Sequence, residues 1–120
     1  IFTNYGMNLK LILKINQVYW NLVNSLDLII SSRKFNQLSQ LFIQEKKYQE
    51  SIEFHQDFIN YFKDDKYLCP FYKNLALSYF YQDNDQGISY FQELLERYPY
   101  DYEIMDAYFS CIYKQITYKN

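Results

Sequence analysis

Two glycines, two prolines, two cysteines and one histidine are all that 120 residues offer of the types that punctuate a chain, cross-link it or most often catalyse. So few turn formers, beside 49% apolar content, exclude a loop-rich scaffold and a disordered tract, and leave one small domain with a genuine core. Cys69 and Cys111 stand apart from each other and from any His/Cys cluster. They read as reduced thiols of an intracellular protein, cytoplasmic or inside an organelle, with a disulfide between them as the less favoured alternative. No excess of positive charge is present either: twelve basic and fourteen acidic residues are mixed along the chain for a net charge of −2. The field that drives phosphate-backbone binding is absent, so nucleic acid is not expected as a direct ligand. Long apolar runs are missing too. The most apolar stretch, Leu9 to Ile30, is interrupted by Lys10, Lys14, Asn16, Gln17, Asn21, Asn24 and Asp27, which rules it out as a membrane span. It also lacks the apolar core and cleavage site of a secretory signal. With Ile1 first and the first methionine at Met7, we expect a piece of something longer.

Aromatic residues, by contrast, are abundant: fifteen tyrosines, ten phenylalanines and one tryptophan. A domain of this size cannot enclose them all, because small domains leave much of their surface exposed. Some tyrosines must therefore face water or a partner, where the ring buries area and the hydroxyl keeps a hydrogen bond. The competing explanation is a bias toward Ile, Asn, Lys, Tyr, Phe and Gln of the kind that AT-rich coding DNA produces.

Apolar residues recur at helical spacing throughout, with no sustained alternation to suggest a strand. The pattern predicts an amphipathic helix over about 8–30 with Leu11, Ile15, Val18, Leu22, Leu26 and Ile29 on one face. Ser31 and Ser32 offer caps for a second helix holding Phe35, Leu38, Leu41 and Phe42, and Lys46-Lys47 marks the next turn. A third helix is expected over about 48–62, followed by a polar break at Lys63-Asp64-Asp65-Lys66. Pro70 suits the first turn of a fourth helix, where its missing N–H costs little. Asp83-Asn84-Asp85 supplies turn and cap chemistry before a fifth helix over about 86–98, which must stop ahead of Pro99. Asp101 caps a sixth, in which Met105, Tyr108, Phe109 and Ile112 share a face.

The chain also repeats itself. Phe35-x2-Leu38-Ser39-x2-Phe42, Ser51-x3-His55 and Phe58 are echoed by Tyr72-x2-Leu75-Ala76-x2-Tyr79, Gly87-x3-Phe91, Leu94 and Pro99. This resembles the tetratricopeptide repeat, in which small residues mark the close crossing of paired helices and rings fill the grooves on either side. Ser39 with Ser51, and Ala76 with Gly87, occupy the small positions; Phe35, Phe42, Tyr72 and Tyr79 occupy ring positions. The resemblance implies an all-α fold of antiparallel helix pairs stacked as a short alpha-alpha solenoid. Its divisions are an N-terminal amphipathic helix over 1–31, two pairs over 32–101 (32–65 and 69–101) and a closing helix over 102–120. Four departures weaken the match: Lys63 replaces a proline, three residues are inserted near Lys66 to Leu68, the second turn is one residue short, and Leu9 to Ile30 is out of phase.

In that family the first helix of each pair lines a groove that meets extended peptides. The resemblance carries this role to Arg33, Asn36, Gln37, Gln40, Gln44, Lys73, Asn74, Leu77 and Tyr81. Amide side chains match the C=O and N–H of a peptide backbone, although any amphipathic helix has a polar face. A clamp for a C-terminal carboxylate is disfavoured, because Asn36 replaces its first lysine and Glu103 and Ala107 stand where its other basic residues belong. His55 sits at a ring position and reads as a hydrogen-bonded core residue. No phosphate-binding glycine loop, nucleophile elbow or metal-ligand spacing occurs, so neither an enzyme nor a cofactor is expected. The expected function is a protein–protein interaction scaffold within a larger protein or complex. The alternatives are a peptide-sensing domain of an intracellular regulator and a structural subunit of a large assembly. Leu9 to Ile30 serves either as a cap on the first pair or as a surface that docks into a neighbour.

Overall fold

The computed structural model describes residues 36, 37, 39–62 and 68–119, and among these every regular element is helical. The expected helix over Leu9 to Ile30, the ring of Phe35 and the polar break at 63–66 lie outside the described residues. Positions 36, 37 and 39–44 are helical. They are followed by α1 (Tyr48–Phe62), α2 (Cys69–Gln82), α3 (Asn84–Arg97) and α4 (Tyr102–Lys119).

Local chemistry sets these limits. The first helical stretch ends where Lys47 N–H donates to the Phe42 carbonyl at 2.9 Å and Lys46 N–H donates to Ile43 at 3.0 Å. That pair of bonds is a Schellman closure, and it requires Lys46 to take the left-handed conformation, with φ at 58°. Pro70 lies in the first turn of α2. A single residue, Asp83, separates α2 from α3: its N–H closes α2 on the Tyr79 carbonyl at 2.8 Å, and its side chain accepts from the Asp85 and Gln86 amides. The extended backbone of Asp83 (φ −152°, ψ 110°) reverses the chain there. α3 stops at Arg97, two residues before Pro99, because the residue preceding proline is pushed out of the helical region. The Asp101 carboxylate accepts from Ile104 N–H at 2.9 Å and caps α4.

α2 is the central element and packs on α1, α3 and α4, while α4 packs on both α2 and α3. This explains why α2 is apolar almost all round, since a helix enclosed on several sides has no broad solvent face to supply polar residues. One continuous core joins all the elements, formed by Phe42, Phe54, Phe58, Leu68, Phe71, Tyr72, Ala76, Phe80, Phe91, Leu94, Ile104 and Cys111. Its rings make a ladder between elements: Phe42 to Phe54 at 5.3 Å, Phe54 to Phe58 at 4.7 Å and Phe58 to Phe71 at 6.2 Å between centroids. At Gly87 the backbones of α3 and α2 come close together. A Cβ added there would lie 2.3 Å from the Cα of Phe80, inside backbone rather than beside the small Ala76.

α4 is turned differently from the sequence expectation. Its inward face is Ile104, Ala107, Tyr108 and Cys111, whereas Met105 and Phe109 point out and Ile112 is half-buried. Apolar residues occur on every side of this helix, so spacing alone could not choose the buried face.

Candidate protein-contact surfaces

His55, the lone histidine, is fully buried in a hydroxyl network. Its Nδ1 is 2.6 Å from the Ser51 carbonyl oxygen, which can only accept, so Nδ1 carries the ring proton. Nε2 then accepts from the Ser39 hydroxyl at 2.7 Å. Ser51 Oγ shares a 2.7 Å bond with Ser78 Oγ, and the Ser78 hydroxyl donates to the Asn74 carbonyl at 3.0 Å. Burial disfavours the imidazolium and lowers the His55 pKa to about 4, against a smaller opposing effect of the Ser51 carbonyl. Both ring nitrogens are used within the core, so the small residues Ser39 and Ser51 act as hydrogen-bonding partners as well as spacers.

The nine residues that the repeat resemblance nominates fare unequally. Arg33 lies outside the described residues. Gln37, Gln40 and Gln44 are exposed on the first helical stretch. Asn74 is buried, and its amide donates to Asn36 Oδ1 at 2.6 Å, tying α2 to that stretch. Lys73 reaches Glu103 of α4 at 3.7 Å. Leu77 packs partly buried against the core. Tyr81 stacks on Tyr48, with ring centroids 6.1 Å apart and planes inclined by 19°, and its hydroxyl accepts from Lys114 at 2.6 Å. The same lysine lies 5.1 Å from the centre of the Tyr81 ring, beyond the hydroxyl at the ring's edge rather than over its face, so the contact is a hydrogen bond. The α2 part of this face is thus largely occupied by neighbouring elements, while the glutamines before it remain open.

Two surfaces were not singled out by sequence reasoning. On the side of α2 opposite Asn74 and Tyr81, a shallow pocket of about 280 Å³ is lined by Gln56, Ile59, Asn60, Tyr72, Leu75, Tyr79 and Tyr90. Gln56 donates to the Tyr79 hydroxyl at 2.8 Å, and the Tyr79 and Tyr90 rings are 5.2 Å apart. Burial, followed by the neighbouring Tyr72 and Tyr79, pushes the Tyr90 phenol well above its ordinary range, so it remains a hydrogen-bond donor. Spacing gives part of this wall away, since Tyr72, Leu75 and Tyr79 share a helical face; nothing in the sequence shows that α1 and α3 border it.

The other surface is an exposed apolar stripe along α4: Tyr102, Met105, Phe109, Tyr113 and Ile116 are between 36% and 79% exposed. Tyr100, in the turn before it, is 95% exposed. Among the described residues no group of three or more His, Cys, Asp and Glu could hold a metal ion, and no described helix is long and apolar enough to cross a membrane. Cys69 and Cys111 are not joined in a disulfide, and burial pushes the Cys111 thiol up to about 11. Compared with models of known protein families, with curated proteins and with solved structures, the chain matches none.

Proposed function

We propose that this chain is a non-catalytic protein–protein interaction scaffold, built as a short tetratricopeptide-like array of antiparallel helix pairs. The paired packing of α1 with α2 and α2 with α3, the closure of α4 over both members of the second pair, and the backbone contact at Gly87 support the array. The observation that carries the function is the α4 stripe. Five large apolar side chains in one line on a solvent-facing helix form a contiguous patch of the kind that marks a protein contact.

The test compares Phe109→Glu with the double change Gln40→Ala and Gln44→Ala in proximity labelling from the native cell. Loss of labelled neighbours with Phe109→Glu alone supports the α4 surface. Loss only with the glutamine change moves the contact to the amide face.

A peptide-sensing role is the second reading, favoured by the tyrosine pocket. Its volume suits one or two side chains, its walls are aromatic, and Gln56 and Asn60 offer donors and acceptors to a peptide backbone. Tyr79→Ala should abolish peptide binding there, whereas Gln40→Ala should not.

A further inference from the structure

We propose that the α4 stripe pairs with the same stripe of a second copy of this chain, antiparallel, about a twofold axis through Phe109. This names a partner for the surface that carries the interaction reading, and so rests on that reading. The stripe is symmetric about Phe109: Tyr102 and Ile116 lie seven residues to either side, and Met105 and Tyr113 lie four. A twofold rotation therefore sets Tyr102 against Ile116 of the second copy, Met105 against Tyr113, and Phe109 against itself. Self-complementarity of this kind is what an isologous interface requires. The seven- and four-residue steps keep all five side chains within the narrow seam that two crossing helices share.

Glu103 and Lys114 are already held within one copy, by Lys73 and by the Tyr81 hydroxyl, so the backbone supplies the preference: antiparallel pairing opposes the two helix dipoles, whereas parallel pairing aligns them. The size is adequate for a reversible dimer. From the exposure of the five side chains, roughly 600 Å² per copy would be covered, about 1,200 Å² in the pair, at the lower edge of specific interfaces.

Analytical ultracentrifugation of the full 120-residue chain tests this. The expected result is a monomer–dimer equilibrium with a dissociation constant of about 1–100 µM. Phe109→Glu and Phe109→Lys should each be monomeric with unchanged helical circular dichroism, since the side chain is exposed, and an equimolar mixture should dimerise again. In a Cys69→Ser background, Tyr102→Cys and Ile116→Cys should form a disulfide with each other on mixing and much less when alone. Faster oxidation of either variant alone would overturn the antiparallel arrangement. A wild-type chain that stays monomeric overturns the pairing altogether, and labelling then separates the two ideas: neighbours lost with Phe109→Glu keep the interaction surface, and unchanged neighbours remove both.

Discussion

The hydroxyls of Ser51 and Ser78 share a 2.7 Å hydrogen bond across the contact of α1 with α2. Through it, the imidazole of His55 is linked to the Asn74 carbonyl by a continuous run of buried polar groups. No buried side-chain nitrogen or oxygen among the described residues lacks a partner, so removing one member leaves another stranded. Ser39→Ala deprives His55 Nε2 of its donor and should destabilise the fold by about 1–3 kcal/mol. Urea denaturation measures this, and an unchanged midpoint would remove the serine from the network.

Acid should act through the same ring. The folded-state pKa of His55, about 4, is below the unfolded value of 6.5, so between those values the unfolded chain holds the extra proton. Stability from this group is fully present above about pH 6.5 and is lost as pH falls toward 4. The loss should be about 2 kcal/mol between pH 7 and 5. Urea midpoints at several pH values for the wild type and His55→Phe isolate it, because carboxylate contributions are common to both. Parallel curves in that window would contradict the buried neutral imidazole.

Gly87→Ala should be costly, although alanine is the better helix former by about 1 kcal/mol. The added methyl would meet the Cα, N and Cβ of Phe80, all within 2.5 Å, and backbone cannot rotate away. The helices must separate, and we expect a loss of about 3 kcal/mol. A thermal unfolding midpoint at or above the wild-type value would contradict the close contact of Gly87 with the Phe80 backbone.

Lys46→Gly should have the opposite sign. Lysine at φ 58° carries the steric penalty of a left-handed residue, which glycine lacks, so the closure of the first helical stretch should gain about 1 kcal/mol. Chemical denaturation reads the gain directly; destabilisation would mean that the lost conformational entropy outweighs the relieved strain.

Much of the helix layout was legible because its signals are local. Asp83, Asp101, Pro70 and Pro99 act within a turn of themselves, and the limits they set fall within two residues of those the spacing predicts. His55 was readable as a hydrogen-bonded core residue because a single imidazole at a ring position has few other fates. Three features were not local and could not be read. The Asn36 to Asn74 bond joins residues 38 apart and turns two nominated contact residues toward each other. The pocket needs three helices at once. The buried face of α4 depends on where α2 and α3 meet it, and a helix apolar on every side leaves spacing without a preference. Lys46 was read as a turn residue, but its left-handed backbone follows from the geometry of the closure rather than from lysine.

The central place of α2 also bears on how the molecule opens. With neighbours on three sides, its backbone amides can reach solvent only when most of the packing is lost, so they should exchange with deuterium at a rate set by global unfolding. α4 leans on two neighbours and leaves a long face bare, so it can lift away while α1, α2 and α3 stay folded. The helix that carries the exposed apolar stripe is thus the one with the least to lose by detaching, and anything that covered it would show first as slowed exchange in α4.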